Sequence, residues 1–199
     1  MFDILIADPP WQYNNKRTGG SLKSGAEQHY PTMDLSTLMD LSGHLDRLMS
    51  ENSMIFLWTT NSFIREAFSL LCAYDYTYKT MITWVKKNYG LGAWFRGKTE
   101  HCLFGIKGDV PALRMNLPNL IISEEKLEHS QKPQEFYNYV SRCAYKMRDN
   151  SKDSRPFKIL ELFARDQICM MDLNVQWTCL GNELTGNDIW TDLYNVTKL

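Results

Sequence analysis

Ile4-Leu5-Ile6-Ala7-Asp8-Pro9-Pro10-Trp11, near the start of the chain, decides how the protein is expected to fold. The four apolar residues predict a strand buried on both faces, because a half-exposed strand would alternate between apolar and polar side chains. This strand must end at the two prolines, which have no N–H group to donate to a neighbouring strand. The chain is therefore expected to begin in its core and to place Asp8 at the carboxyl end of a buried strand.

Alternating strands and helices are predicted after this first strand. Apolar or β-branched runs predict strands at residues 54–58, 77–85, 102–106, 120–122, 159–163 and 175–180, and residues 12–31 and 86–98 are predicted loops. Helices are predicted where apolar residues recur at three- and four-residue spacing: Leu38, Leu41, Leu45 and Leu48 after Asp34; Ile64, Phe68 and Leu71; and Phe136, Val140, Cys143 and Met147 after Pro133. The alternation predicts an α/β sandwich with a mostly parallel central sheet, whose ligands lie at the carboxyl ends of the strands.

Composition limits the class of protein. The 199 residues are 44% hydrophobic, which suits one domain over residues 1–199, and the net charge of −1 means that any nucleic-acid surface must be a local patch. Five widely spaced cysteines without a C-x-x-C pair argue against disulfides and zinc, and no apolar run approaches the ~18 residues of a membrane span. Glu100 and His101 have no further ligand at turn or helical spacing, so no metal is predicted. A cytoplasmic protein with no membrane partner is expected.

Asp8-Pro9-Pro10-Trp11 allows two interpretations when it is considered alone. A carboxylate beside a rigid backbone carbonyl can accept hydrogen bonds from a substrate amino group, and Trp11 can offer a flat surface to a base. The tetrapeptide can equally be a turn that ends a strand, with Trp11 as a core aromatic. The rest of the chain must decide between them.

Six further segments favour the first interpretation. In order along the chain, they and the tetrapeptide resemble the MT-A70-like adenine N6-methyltransferase family, which includes the eukaryotic mRNA methyltransferase catalytic subunit and many bacterial and phage homologues. The segments are Tyr30-Pro31-Thr32-Met33, Phe56-Leu57-Trp58-Thr59-Thr60-Asn61, Glu100-His101-Cys102-Leu103-Phe104-Gly105-Ile106-Lys107-Gly108, His129-Ser130-Gln131-Lys132-Pro133, Glu161-Leu162-Phe163-Ala164-Arg165 and Gly181-Asn182-Glu183. A bacterial or phage member is expected.

The resemblance implies an activity and a fold. The activity is transfer of a methyl group from S-adenosylmethionine to N6 of adenine in a nucleic acid. The fold is a Rossmann-like methyltransferase sandwich in permuted order, in which the catalytic motif precedes the cofactor strand at residues 159–163. The chain has no G-x-G-x-x-G fingerprint, which disfavours a dinucleotide-dependent oxidoreductase.

The resemblance also implies roles for individual residues. The catalytic residues would be Asp8, Pro9, Pro10 and Trp11: the Asp8 carboxylate and the Pro9 carbonyl hold the amine, and Trp11 packs the base together with Tyr30. The residues that would hold the cofactor are Asp8, Lys132, Phe163, Arg165, Asn182 and Glu183. Because Pro133 is expected to be the first residue of a helix, Lys132 would be its N-cap, where a cation is unfavourable without a functional reason.

A basic segment supplies a candidate nucleic-acid surface. Between Asp75 and Glu100 there are five basic residues and no acidic one, namely Lys79, Lys86, Lys87, Arg96 and Lys98, interleaved with Trp84, Tyr89, Trp94 and Phe95. Basic residues bind phosphates and aromatic rings stack on unpaired bases, although a solvated face over core aromatics would give the same pattern. Lys16, Arg17 and Lys23 form a second candidate patch in the first loop.

The nature of the partner stays open at this point. DNA is favoured over RNA by analogy with the stand-alone members of the family, and a homodimer or a second subunit would provide further recognition. The alternative is a catalytically inactive subunit that only presents nucleic acid. The intact Asp-Pro-Pro-Trp, Lys-Pro and Asn-Glu motifs argue against it.

Overall fold

The computed structural model describes residues 1–12, 32–90, 94–123, 131–150, 155–165 and 175–198, without the side chains of residues 148–150. The predicted substrate residues Lys16, Arg17 and Tyr30 lie outside the described residues, as does Lys23.

A seven-stranded sheet forms the centre of the fold. Its strands are β1 (Phe2–Ala7), β2 (Met49–Thr60), β3 (Thr77–Val85), β4 (Thr99–Lys107), β5 (Leu120–Ile122), β6 (Phe157–Leu162) and β7 (Val175–Leu180). They lie in the order β5-β3-β4-β2-β1-β6-β7. β1 pairs in parallel with β2 and β6, β6 with β7 and β3 with β5, so the predicted α/β fold with a mostly parallel sheet is confirmed.

One strand, β4, runs against its neighbours. It pairs antiparallel with both β2 and β3. The physical reason is the connection between β3 and β4, residues 86–98, which contains no predicted helix; a parallel pair would need a crossover, whereas a hairpin suffices for an antiparallel pair. Because of this reversal, the first residues of β4 lie beside the carboxyl ends of the parallel strands.

Six helices and one short 3₁₀ turn cover the sheet. They are α1 (Leu35–Asp40), α2 (Ser42–Leu48), the 3₁₀ turn Asn61–Phe63, α3 (Ile64–Ala73), α4 (Gln134–Asn150), α5 (Asn182–Thr185) and α6 (Ile189–Thr197), all in the described part of the chain. The helix predicted after Asp34 divides in two at Leu41, although its four predicted leucines are all buried. α6 was not predicted, although Asp188 caps it by accepting the Thr191 N–H at 2.9 Å. None of these helices is long and apolar enough to cross a membrane.

Two apolar layers enclose the sheet. On one face, α1, α2, α3 and α6 pack against side chains such as Leu5 of β1. On the other face, α4 packs against Ile4 and Ile6 of the same strand. All six residues of β1 are buried, as its continuous apolar run predicted. The central strand is therefore held from both sides, and its carboxyl end is fixed in position.

Phe136 connects α4 to the sheet and provides a test of this packing. Its ring lies 4.9 Å from that of Trp58 and 5.7 Å from that of Phe56, measured between centroids. Phe136→Ala should lower the free energy of unfolding by about 3–5 kcal/mol, because it leaves a cavity between helix and sheet. Chemical denaturation measures this change. Tyr145→Ala, at an exposed position of the same helix, should cost far less; equal losses would contradict the packing described.

Candidate active site

Three carboxylates meet at one edge of the sheet. Asp8 directly follows β1, Glu161 lies opposite Ile6 in the β1–β6 pair, and Glu100 lies opposite Thr60 at the end of β2. Ile6 belongs to the apolar cluster on the α4 side of the sheet. Because side chains two residues apart share a face of a strand, Asp8 follows Ile6 onto this side.

Lys132 lies between two of these carboxylates. Its Nζ atom is 2.8 Å from Oδ2 of Asp8 and 3.0 Å from Oε2 of Glu100, and the lysine side chain is only 8% exposed. The same ammonium lies 4.8 Å from the centre of the Trp58 ring. Two carboxylates and one aromatic face thus surround this cation.

The start of α4 differs by one residue from the prediction. The helix begins at Gln134, and the Pro133 carbonyl accepts the Phe136 N–H at 2.9 Å. Pro133 is therefore the residue before the helix, and Lys132 precedes it. The unfavourable cap position predicted for Lys132 does not arise, because its side chain turns to the carboxylates instead.

Lys86 completes the cluster from the other side. It forms an ion pair with Oε1 of Glu100, and its ammonium lies 5.1 Å from the centre of the Trp84 ring. Lys86 is also a predicted substrate residue. Its ammonium is engaged by Glu100 while its side chain is 35% exposed, and its contact with substrate phosphates stays a prediction. Trp84, predicted as part of the nucleic-acid surface, is buried against Trp58. We refer to Asp8, Lys132, Glu100 and Lys86 as the ion cluster.

Burial and mutual attraction set the charge states in the ion cluster. Burial alone would raise the pKa of Glu100, but Lys132 and Lys86 outweigh it and lower this pKa to about 2. Burial would lower the pKa of Lys132, yet Asp8 and Glu100 raise it above its ordinary value. For Asp8, burial is stronger than the attraction of Lys132, and its pKa is raised. Of the two carboxyl groups in the ion cluster, Asp8 is therefore the one whose pKa lies above its ordinary value, and Glu100 the one whose pKa lies below it.

Hydrogen bonds fix the backbone of the tetrapeptide. The Trp11 N–H donates to the Pro9 carbonyl at 2.8 Å, and the Met33 N–H donates to the Pro10 carbonyl at 2.8 Å. The Gln12 N–H donates in turn to the Met33 carbonyl at 3.2 Å. The Pro9 carbonyl predicted to hold the substrate amine thus already accepts one bond, and a second lone pair is left for a substrate.

Trp11 is part of the core. The residue is 7% exposed, its ring stacks on that of Phe63 with 5.5 Å between centroids, and its Nε1–H donates to the Trp58 carbonyl at 3.3 Å. The predicted open surface for a substrate base is therefore not present on this indole. The geometry shows Trp11 anchoring the turn that carries Asp8 and Pro9.

The third carboxylate, Glu161, lies beside the ion cluster and is buried. It is 7% exposed, and its Oε1 accepts the Tyr137 hydroxyl at 3.1 Å. Burial is the main cause that raises the pKa of Glu161 to about 7, and the charge of Asp8 adds to this, whereas the hydrogen bond from Tyr137 lowers it. Glu161 thus titrates near neutral pH.

The predicted cofactor residues lie at the ends of β6 and β7. Phe163 follows β6 with φ of +63°, and the Ala164 N–H donates to the Leu180 carbonyl at 2.9 Å. A Cβ atom on Gly181 would lie 2.1 Å from the Ala164 carbonyl oxygen, so only glycine allows the two segments to approach this closely. The close approach brings the segments that carry Arg165 and Glu183 together.

Arg165 and Glu183 form an open pair at this edge. The Nη1 atom of Arg165 lies 3.9 Å from Oε1 of Glu183, and exposed Asn182 begins α5 next to them. A cation, an amide and a carboxylate in this arrangement can donate to and accept from a ribose diol. The donor set therefore fits the nucleoside part of the predicted cofactor.

The remaining predicted substrate residues in the described part of the chain lie in the connection that leads away from Lys86. Lys87 and Arg96 are exposed in the connection between β3 and β4, and the Nζ atom of Lys98 lies 5.1 Å from the centre of the Tyr89 ring. Within the described residues, no group of three or more His, Cys, Asp or Glu side chains is arranged to hold a metal ion.

Two residues of the site were missed or undervalued from the sequence. The sequence assigns no role in the site to Glu100 beyond a rejected metal site and its place in a family segment, and no pattern marks Tyr137. Glu100 shares its face of β4 with buried Cys102. A charged residue in register with the apolar positions of a strand is the signal that would have marked it.

The fold and this edge together define a Rossmann-like α/β protein of the methyltransferase type. The chain belongs to the MT-A70 family, whose model matches residues 2–183. Over 194 residues it is 30% identical to the probable N(6)-adenosine-methyltransferase MT-A70-like of Oryza sativa, covering 94% of this chain and 23% of that protein. It is 27% identical to the human N(6)-adenosine-methyltransferase catalytic subunit METTL3, covering 93% and 28% of the two chains.

A shorter relative is similar over most of its length. The chain is 25% identical to the type II methyltransferase M.MunI of Mycoplasma sp over 205 residues, which cover 94% of this chain and 80% of that protein. The chain thus spans about a quarter of the plant and human relatives but most of this one.

The raised pKa of Glu161 gives stability a defined pH dependence. Between its ordinary value of 4.5 and its value of about 7, the folded protein binds this proton more tightly than the unfolded chain does. As pH rises through this window, the free energy of unfolding of the wild type should therefore fall relative to that of Glu161→Gln. Denaturation at a series of pH values measures the difference. Glu51→Gln, at an exposed position, is the control and should give a flat difference; a flat result for Glu161→Gln would refute the assignment.

Proposed function

We propose that this chain transfers a methyl group from S-adenosylmethionine to N6 of adenine in a nucleic acid, with DNA favoured. The observation that carries the proposal is the ion cluster, which holds the Asp8 carboxylate at the carboxyl edge of the sheet in a chain of the MT-A70 family. The similarity to N(6)-adenosine-methyltransferases from plant and human supports adenine N6 as the target.

Asp8 and Pro9 hold the target amine. Oδ2 of Asp8 is engaged by Lys132 at 2.8 Å, and the second carboxylate oxygen is the proposed acceptor for the substrate amine. The Pro9 carbonyl can use its second lone pair for the other amine hydrogen. The lone pair of the target amine is delocalised into the ring, so the amine must be oriented before it can react. Two acceptors on a rigid turn fix this orientation and so lower the entropic part of the activation barrier.

Asp8 also receives the proton that the amine must lose after methylation. Burial raises the pKa of this carboxyl in spite of the nearby Lys132. A carboxylate that is desolvated in this way accepts a proton more readily than one in water. Lys132 keeps Asp8 ionised before the reaction and holds it in position throughout.

The cofactor supplies an electrophilic methyl group on a sulfonium when it is bound. Arg165, Asn182 and Glu183 would hold its ribose, and Phe163 would cover its adenine. Lys132 is proposed to contact its carboxylate; because the observed partners of Lys132 are Asp8 and Glu100, we propose that this contact is secondary to the positioning of Asp8.

Lys87, Arg96 and Lys98 are proposed to bind phosphates of the nucleic acid, together with Lys16 and Arg17, and Tyr30 to pack the target base. DNA is favoured by analogy, since the matched region makes up 80% of a type II methyltransferase. RNA is the second candidate, favoured by the similarity to N(6)-adenosine-methyltransferases. Recognition by a homodimer or a second subunit, and action in the cytoplasm of a bacterial or phage-infected cell, belong to the same proposal.

Incubation with methyl-labelled S-adenosylmethionine tests the activity. The purified protein is supplied with single-stranded DNA, duplex DNA or RNA of the same sequence, and the nucleosides are then separated. We expect N6-methyladenine, with DNA as the better substrate. A label found in RNA alone would replace DNA by RNA. If no substrate were methylated while the protein still bound nucleic acid, the inactive presenting subunit would be the better description.

Asp8→Asn tests the mechanism. This change keeps the size of the side chain but removes the charge and the proton acceptor, so the rate should fall by about 10²–10³-fold. The rate of methyl transfer is measured together with the affinity for S-adenosylmethionine by calorimetry. Asp40→Asn, at an exposed position of α1, is the matched control and should retain wild-type rates. An Asp8→Asn variant with full activity would remove the proposed role of this carboxylate.

A further inference from the structure

The connection between β3 and β4 extends their hairpin beyond the sheet. The Lys86 N–H donates to the Lys98 carbonyl at 2.8 Å, and the Gly90 N–H donates to the Gly97 carbonyl at 2.6 Å. We call residues 86–90 and 94–98 the hairpin extension. These bonds continue the antiparallel pairing of the two strands, so the extension has a defined direction away from the edge of the sheet.

Two neighbouring aromatic side chains of the extension are almost fully exposed. Trp94 is 92% exposed and Phe95 is 90% exposed, the highest values among the large hydrophobic residues of the described chain. Burial of such rings is strongly favourable, so their exposure to water costs free energy that packing against other apolar side chains would avoid. Adjacent exposed rings of this kind indicate a surface that is covered by a partner.

The charge of the extension favours a polyanionic partner. Lys87, Arg96 and Lys98 flank the two rings, and the sequence has no acidic residue between Asp75 and Glu100. A protein partner would need a concentration of acidic groups around an apolar pocket to match this surface. A nucleic acid carries a phosphate on every nucleotide and an aromatic base beside it, which matches alternating cations and rings directly.

The extension begins at the ion cluster. Lys86 and Glu100, which close the hairpin at the sheet, are members of that cluster. Trp94 lies six residues before Glu100 and Phe95 lies five residues before it. The backbone that carries the rings is therefore within about 20 Å of Glu100, given ~3.3 Å per extended residue. This distance corresponds to a few nucleotides along a strand.

We propose that Trp94 and Phe95 stack on unpaired bases a few nucleotides from the target adenine, so that the preferred substrate is single-stranded or locally opened beside that adenine. This inference rests on the proposed function for the identity of the ligand. Duplex bases have no free faces to offer to two adjacent rings, whereas every unpaired base does. The cations of the extension then hold the phosphates of the same strand.

Binding of a fluorescently labelled oligonucleotide tests the inference. Affinities for single-stranded and duplex forms of one adenine-containing sequence are measured by anisotropy, for the wild type, Trp94→Ala, Phe95→Ala and the double variant. Each single change should weaken single-strand binding about tenfold, at low and at high salt, and the double variant should lose the preference for the single strand. Trp94→Phe should restore most of the affinity, because it keeps an aromatic face. Tyr194→Ala, at an exposed position of α6, is the control for loss of a surface ring.

The outcomes separate this inference from the proposed function. Wild-type affinity and strand preference in the double variant, with methyl transfer intact, would overturn the stacking role and leave the activity standing. Failure of the wild type to bind or methylate any nucleic acid would overturn the proposed function itself. If the double variant instead changed the oligomeric state in sedimentation while oligonucleotide affinity stayed the same, the rings would belong to a protein interface and the inference would be wrong.

Discussion

The buried ammonium of Lys132 is the interaction on which the active edge of this protein depends. Removing an ammonium from water costs several kcal/mol, and only close carboxylates with good geometry offset that cost. Here Asp8 and Glu100 do so at 2.8 and 3.0 Å. The three residues come from the end of β1, the start of β4 and the segment before α4, so one cation ties together parts of the chain that are far apart in sequence. A shift of any one of the three segments would lengthen at least one of these ion pairs.

The ion cluster is costly as a device for stability alone, since apolar residues of similar volume often stabilise a core as well or better. For the proposed methyl transfer, its value lies in preorganisation. The faces of Trp58 and Trp84 cover Lys132 and Lys86, and both indole N–H groups are buried without a hydrogen-bond partner in the described structure. Charges fixed in surroundings of this kind need little rearrangement when a substrate arrives, which is the main electrostatic advantage of an enzyme site over water. The same surroundings explain why Glu100 and Asp8 shift in opposite directions: Glu100 has two cations, whereas Asp8 has one that burial outweighs.

The sequence was most informative where the signal is local. The apolar run of β1, the strand at residues 175–180 and the apolar face of α4 follow from the order of the residues, and the structure confirms all three. The sequence was least informative where the outcome depends on pairing between distant segments. The reversal of β4 places Glu100 opposite Thr60 and within reach of Lys132, and no pattern within residues 99–107 contains that register. Lys86 and Trp84 were assigned to the surface for the same reason, because a basic and aromatic segment has the same composition whether or not it meets a carboxylate. The sequence left Trp11 open to two interpretations, a surface for a base or a core aromatic. Its contact with Phe63 could not be predicted, because Phe63 lies in a turn that is distant in sequence.

The hairpin of β3 and β4 connects the ion cluster to the exposed rings. Its base carries Lys86 and Glu100, which complete the ion cluster, and its far end carries the exposed rings of Trp94 and Phe95. The two strands are paired along their length and continue as a hydrogen-bonded extension. The exposed rings are thus connected to the ion pair of Lys86 with Glu100 through one continuous hairpin, and Glu100 in turn contacts Lys132. Glu100 has both lysines as partners, and Lys132 is also the partner of Asp8, so the four charges form one connected chain of ion pairs. The position of Asp8 is in this way a property of the whole hairpin as well as of the turn that contains it.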